Sequence, residues 1–549
     1  MESYEVDVVI VGGGLSGLSA AFYLLKKDRG LKICLLEAKG RIGGRTETRQ
    51  LDAADGTKDF WDLGGEWVGR SGVLRSDSAG IFHKILPNSP NHSFSRPQTH
   101  LQYLLQKFRM DTFNPVAPHT ESPFTPTPRL AWKTRLDVIQ FSWKLKRLKG
   151  RLSQSDMKNS VEALKWDGIT FEKYRDDNLW TVEAKNLVDA ACRCMFGLSP
   201  AEMTLLYFLM YINSAGGLKI FTTPAEFTGR ESRVKGGVQQ LATHMMHKIG
   251  KRNVHLNHPV THIVQSGEKV TVVTENRLQV QCSRVIMAIP PHHAARIKFT
   301  PPLPSRKINL LNSVPLAFLV KFAVTFEEPF WKDSGPDKRH FGFQTVLEDP
   351  ERGPIGIAYD ATSARGNPAL AGFLSSAYGT EADPRRRQDA IIDLLESVLG
   401  PNVRQYKDFV QKDWSKEPYN GGCFLKSLIP GTTKYFNQDL REPFERIHFA
   451  GTETATIWCG FMNGAIQSGF RAATEVLYHV RPQIITSPDP ESQRFFDDDE
   501  NRFGDDTYLL RWMLFAAVGA GFASALYVVL KSDKGLTRNF MDNIRIVFD

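Results

Sequence analysis

A glycine-spaced turn and a carboxylate at a set distance from it are the first residues in this 549-residue chain whose types could do chemistry. Val8-Val9-Ile10-Val11 runs straight into Gly12-x-Gly14-x-x-Gly17, and Glu37 closes a second apolar run, Ile33-Cys34-Leu35-Leu36. Glycine-rich turns are common, so the spacing alone is weak; its context is specific. A buried strand delivers the chain to a tight turn, and glycines let backbone approach a pyrophosphate. A helix N-terminus then offers free N–H groups to the phosphates, and an acidic side chain ends the next strand where a ribose hydroxyl lies. The pattern predicts an adenine dinucleotide. The six cysteines (Cys34, Cys192, Cys194, Cys282, Cys423, Cys459) are too few and too scattered for a disulfide scaffold and suit a reducing compartment. Cys192-x-Cys194 lacks the spacing of a zinc or redox pair and reads as helix packing; no metal site is expected.

The elements that must position these residues follow from pattern. Helical Leu18–Leu25 succeeds the glycine turn, and Arg41-x-Gly43-Gly44-Arg45 and Asp62-Leu63-Gly64-Gly65 complete a first block. Val270–Thr274 and Leu278–Cys282 read as hairpin arms, Arg284–Ile289 as a buried strand, Arg446–Ala450 as another, and Met462–Tyr478 as a helix. Dinucleotide-binding parts thus lie in three separated stretches, 1–70, 226–291 and 411–480. Residues 97–225 and 292–410 form a second domain over the ligand.

At this length more than one hydrophobic core is expected. Hydrophobic content of 42% and charged content of 23% exclude a disordered or fibrous chain. The net charge of +9 is spread along the sequence. Its densest cluster, Arg385-Arg386-Arg387, follows the cap Asp383-Pro384 and reads as the solvated start of a helix ending near Gly400, not a nucleic-acid patch; basic charge suits an anionic membrane surface at least as well. Trp512–Leu530 is uncharged and apolar for about the length that spans a bilayer, with Arg511 before it and Lys531, Lys534, Arg538 and Arg545 after it. Residues 481–507 read as a polar linker, 508–530 as a transmembrane anchor and 531–549 as a basic tail.

Together the fingerprint, Glu37, the RxGGR block, Gly64-Gly65-Glu66-Trp67-Val68-Gly69 and Phe449-Ala450-Gly451-Thr452-Glu453-Thr454-Ala455-Thr456 resemble the flavin-containing amine oxidases. Tyr419-Asn420-Gly421-Gly422-Cys423-Phe424 and the tail anchor look like the monoamine oxidases of the outer mitochondrial membrane. The resemblance implies FAD and an α/β fold: a Rossmann-like domain of the para-hydroxybenzoate-hydroxylase type, interleaved with an α+β substrate domain. It implies that Gly12, Gly14, Ser16 and Gly17 approach the pyrophosphate and that Glu37 holds the adenosine ribose. Arg45 neutralises phosphate charge, Val260 meets the adenine through its backbone, and Glu453 and the helix from Met462 serve the flavin end. Cys423 matches the cysteine that forms a thioether to the flavin. The implied reaction is oxidative deamination of an amine by hydride transfer to flavin N5, with oxygen as acceptor, aldehyde and hydrogen peroxide as products, and a lipid bilayer as the anchor's partner.

The chain also departs from that pattern. Two aromatic rings flank the amine path in the family, typically tyrosines; here the positions are Phe424 and Phe461, which implies oxidation with lower turnover or a shift to apolar amines. The family lysine bridged by water to N5 aligns with Arg296, and a register slip would bring Lys298 there instead; arginine keeps the charge but not the ammonium geometry. A substrate-contacting glutamine falls at Arg230, which keeps an FAD-dependent amino-acid or polyamine oxidase or dehydrogenase reading open, as the combined departures do for a catalytically impaired flavin-binding membrane protein. Trp67 conserves an aromatic pocket wall. Residues 71–96 read as an inserted loop or a gene-model artefact. The sequence leaves open the oligomeric state, a homodimer included, and the choice between mitochondrial outer membrane and endoplasmic reticulum.

Overall fold

Four successive aliphatic residues fit a strand covered on both faces, and Val8–Val11 is such a strand, wholly buried at the centre of a parallel sheet. The sheet runs in the order Ile447–Phe449, Arg284–Met287, Val8–Val11, Ile33–Leu36, Val254–His255, every neighbouring pair parallel. The strands come from chain stretches hundreds of positions apart. A computed structural model supplies this architecture and describes residues 3–69, 98–114, 131–152, 160–196, 198–215, 232–314, 316, 319–332, 345–346, 355–374, 383–423, 430–431, 433 and 439–484.

The chain leaves Val8–Val11 through the glycine turn into the helix Leu15–Lys27, which crosses the helix Met462–Val480. Ser16 Oγ and Ser468 Oγ meet at 3.0 Å in that crossing, so the first and last described segments share one core. A second sheet orders Ser3–Glu5, Gln279–Cys282, Lys269–Thr274, Val260–Ser266 and Lys298–Thr300. The expected hairpin arms are there, the second opening at Gln279. A third, antiparallel sheet orders Thr345–Val346, Ile355–Asp360, Ala369–Leu374, Val320–Thr325 and Asp408–Asp413. Helices Trp132–Arg151, Val161–Asp167, Phe171–Asn178, Val182–Phe196 and Leu205–Ser214 form an apolar cluster with stacked Phe171 and Phe208, ring centroids 3.7 Å apart. Cys192 is buried on Val182–Phe196, as helix packing required.

Three expectations change. The strand from Arg284 stops at Met287, because the chain turns into Pro290 and the short helix Pro291–Ala294. The helix Pro384–Leu399 is capped by Asp383 as predicted, but its first turn is not wholly solvated. Arg387 is 3% exposed and donates to Asp413 Oδ2 at 3.0 Å and Gln411 Oε1 at 2.9 Å, pinning the helix to the third sheet. The polar linker also starts later than 481, since Arg481 reaches Asp28 Oδ2 at 3.0 Å. Residues 71–96, the anchor 508–530 and the tail 531–549 lie outside the described residues; among those described, no helix is long and apolar enough to cross a membrane.

Candidate active site

One cavity of about 910 Å³ gathers most of the residues that the sequence singled out. Its walls include Gly12, Gly14, Ser16, Glu37, Arg45, Trp67, Val260, Arg296, Lys298, Cys423, Glu453, Phe461 and Met462. Phe424 and Arg230 lie outside the described residues.

Two helices open into this cavity without a side-chain cap, Leu15–Lys27 at Gly14 and Met462–Val480 at Phe461. Their first N–H groups and the positive ends of their dipoles are therefore available to an anionic or electron-rich group. A Cβ placed on Gly14 would meet only Gly44 Cα, at 3.8 Å, so the space above Gly14 belongs to a ligand and not to the fold. A long cavity with this glycine cradle and two exposed helix N-termini fits a dinucleotide with a flavin at its far end.

Each side chain has a local reason for its place. Glu37 is buried at the end of its strand and divides its oxygens, Oε2 accepting from Gly13 N and Oε1 from Lys39 N at 2.9 Å, so it braces the loop it is expected to serve. Ser16 spends its hydroxyl inside the protein, taking the Gly451 N–H at 2.9 Å. Arg45 pairs with Glu453 at 2.8 Å and donates to the Cys423 carbonyl at 3.1 Å, which joins all three motif blocks. Burial pushes the Cys423 thiol up to about 11, against the pull of the positive charges on Arg45 and Lys321. Phe461 stands edge-on to Trp458, centroids 4.9 Å apart at 82°, and 5.8 Å from the Tyr211 ring.

Arg296 and Lys298 both line the cavity. Arg296 follows the helix Pro291–Ala294 on an exposed turn, and Lys298 is exposed on the strand paired with the one that Val260 opens. Behind the cavity wall lies a buried ammonium, that of Lys321, which was missed in the sequence. Lys321 Nζ lies 3.1 Å from Glu66 Oε1 and 3.3 Å from the Gly64 carbonyl, with both charged side chains almost wholly buried. Tyr359 OH donates to the same Glu66 oxygen. Glu66 and Tyr359 line the cavity beside Trp67 and Phe373, the Trp67 and Tyr359 rings 5.7 Å apart. A lone lysine inside the apolar run Leu316–Val324 was the signal that could have revealed it. His292 and His293 were also missed. Burial holds both below the usual imidazole range, His293 at about 4.

A parallel sheet with a glycine-rich turn, two helix N-termini and a thiol on one cavity define a flavin-binding oxidoreductase. A family model described as flavin containing amine oxidoreductase matches residues 15–477, and the chain belongs to that family. It is 33% identical over 504 residues to the flavin-containing amine oxidase A of Sus scrofa, covering 89% of each chain. It is 30% identical over 487 residues to the probable flavin-containing monoamine oxidase A of Dictyostelium discoideum, covering 86% of this chain and 97% of the relative. Wild-type putrescine oxidase bound to putrescine shares the fold, with a TM-score of 0.70 at 24% identity over 87% of this chain and all of that one. The protein is an FAD-dependent enzyme that oxidises amines.

Proposed function

We propose that this enzyme oxidises neutral, largely apolar monoamines, with oxygen as electron acceptor and FAD joined to Cys423 by a thioether. The observation that carries the reading is the single cavity in which the glycine cradle, Cys423 and the aromatic wall of Trp67, Tyr359, Phe373 and Phe461 meet. Bound FAD supplies a two-electron oxidant for the amine α-carbon and, on reoxidation, hydrogen peroxide; hydrolysis of the imine gives aldehyde.

The chain's own residues bind, orient and dry the site. Gly12, Gly14 and Gly17 admit the pyrophosphate, Glu37 holds the adenosine ribose, Val260 offers backbone to the adenine, and Arg45 with Glu453 fixes charge at the turn before the helix Met462–Val480. Arg45 also ties down the Cys423 carbonyl, aiming a thiol that needs deprotonation before it can attack. Trp67 and Phe461 line the amine path; Phe424, outside the described residues, is assigned to it by the family pattern alone. An aromatic wall desolvates the amine and favours its neutral form, the one able to give up hydride. Arg296, with Lys298 as the alternative, is the cation we place towards the flavin's reactive edge, since both line the cavity; Glu66 cancels the charge of the buried Lys321 so that the pocket does not repel amines.

We further assign 1–70, 226–291 and 411–480 to cofactor binding and 97–225 with 292–410 to the substrate side. The 508–530 segment is assigned as an anchor in the mitochondrial outer membrane with the body facing the cytosol, and the chain as able to dimerise. Acid precipitation of the purified full chain tests the covalent bond: yellow colour stays in the pellet and leaves it in Cys423→Ala. Mixing with arylalkylamines without oxygen should bleach the flavin; bleaching by amino acids alone refutes the monoamine reading. Peroxide formed in proportion to amine consumed supports oxygen as acceptor, and turnover only with an artificial acceptor refutes it.

A further inference from the structure

The helix Trp132–Arg151 has two apolar faces, and among the described residues only one is covered. At about 100° per residue, Phe141, Leu145 and Leu148 share the face that packs into the helical core. Trp132, Leu136, Ile139 and Trp143 fall within an arc of roughly 60° on the opposite face. Those four are 68%, 52%, 46% and 48% exposed, although an exposed helix face is normally polar.

Basic residues flank the exposed arc on both sides: Lys133, Lys144, Arg147 and Arg151 on one, Lys146 and Lys149 on the other. The helix carries seven Lys or Arg against one Asp. That Asp137 is buried facing the core, where it accepts from Trp180 N at 2.8 Å and Thr181 N at 2.7 Å. The Lys133 ammonium and Arg147 guanidinium lie 5.8 and 5.9 Å from the Trp132 and Trp143 ring centroids, so rings and cations share one surface.

We propose that this face lies on an anionic lipid surface, with the Trp–Leu–Ile–Trp stripe in the headgroup–acyl boundary and the flanking cations on acidic headgroups. Charge selects this occupant. A second copy docking by the same face would bring basic flank against basic flank. A nucleic acid would satisfy the cations and leave two tryptophans, a leucine and an isoleucine without an apolar partner. The contact is separate from the C-terminal anchor and does not rest on it.

The test uses the full-length enzyme carrying a nitroxide at Ile139→Cys, a control label at Tyr478→Cys on the exposed face of another helix, and unsubstituted protein as the labelling blank. On vesicles of phosphatidylcholine with phosphatidylserine, the label at 139 should lose collisions with a water-soluble nickel complex several-fold and gain collisions with oxygen. The label at 478 should not change. Lys146→Glu with Arg147→Glu should abolish the effect at 139 while the protein still unfolds cooperatively on heating. A label at 139 that remains open to nickel on vesicles that hold the protein overturns the proposal, because the anchor alone then accounts for attachment. Protection without vesicles that grows with protein concentration overturns it in favour of a second copy, and equal protection on pure phosphatidylcholine overturns the role of the cations.

Discussion

At the scale of single residues, Glu66 on the cavity wall and Lys321 behind it compensate each other's charge. Neither charge faces bulk water, and each is the other's compensation at 3.1 Å. A buried pair of this kind adds little net stability over an apolar pair of similar volume, but removing one partner strands the other charge. Lys321→Met should therefore destabilise the enzyme by about 3–5 kcal/mol, and the double variant Glu66→Gln/Lys321→Met should recover most of that loss. Thermal unfolding of the four proteins in the cycle checks this, and simple additivity of the two single effects would show that the charges do not act as a pair. The pair also marks where reading the sequence stopped. Glu66 sits in a segment conspicuous for its glycines, and Lys321 in an otherwise apolar strand, with 257 positions between Lys321 and the Gly64 carbonyl that it also binds. Motif logic is local; it assigned the flavin-side cation to Arg296, which follows a recognisable Pro-Pro turn, and passed over Lys321. Burial, which decides which cation is compensated, is set only when the third sheet closes over the first block.

At the scale of elements, local pattern was a better guide because the forces involved are local. The run Val8–Val11 and the turn came out as read, and the helix expected over Leu18–Leu25 extends one turn earlier and slightly later, over Leu15–Lys27, since a four-residue aliphatic strand and an uncapped helix start leave few alternatives. The same turn separates two duties of glycine. A Cβ on Gly17 would lie 1.9 Å from the Gly12 carbonyl oxygen, and Gly12 itself has φ +106°. Gly17 is therefore required by the fold. Gly14 has φ −73°, which any residue can adopt, and open space above it; its glycine is required by the ligand. Gly17→Ala should cost about 1–3 kcal/mol or more of stability through overpacking. Gly14→Ala should melt within a few degrees of the parent's cofactor-free form yet bind flavin at least about tenfold more weakly, a difference of roughly 1.4 kcal/mol. Flavin-to-protein absorbance ratios measured beside melting curves distinguish the two, and equal losses of stability in both variants would refute the separation of roles.

At the scale of the whole molecule, the cofactor cradle is closed by charge between distant stretches of chain. Glu417 receives Lys39 Nζ at 3.1 Å and Arg41 at 2.9 Å across 376 positions, and Lys412 as well. Glu47 receives Arg41 at 2.9 Å and Lys412 at 3.1 Å from the other side. The Asn420 N–H is held by the Glu417 carbonyl at 3.2 Å, so this network fixes the base of the loop that presents Cys423. Burial alone would raise the Glu417 carboxyl, but hydrogen bonds from Lys412 and Lys39 and their charges overcome it and hold it at about 2, below its ordinary 4.5. A carboxylate whose folded value lies below its unfolded one stabilises the protein fully above the unfolded value, and that contribution disappears as pH falls towards the folded one. Glu417→Gln should thus cost about 2–3 kcal/mol at neutral pH, and the gap between its melting temperature and the parent's should close as pH falls from 4.5 to about 2. A gap that stays constant across that window would mean the side chain contributes by packing or hydrogen bonding alone, and that the two ends of the cradle are joined by something other than its charge.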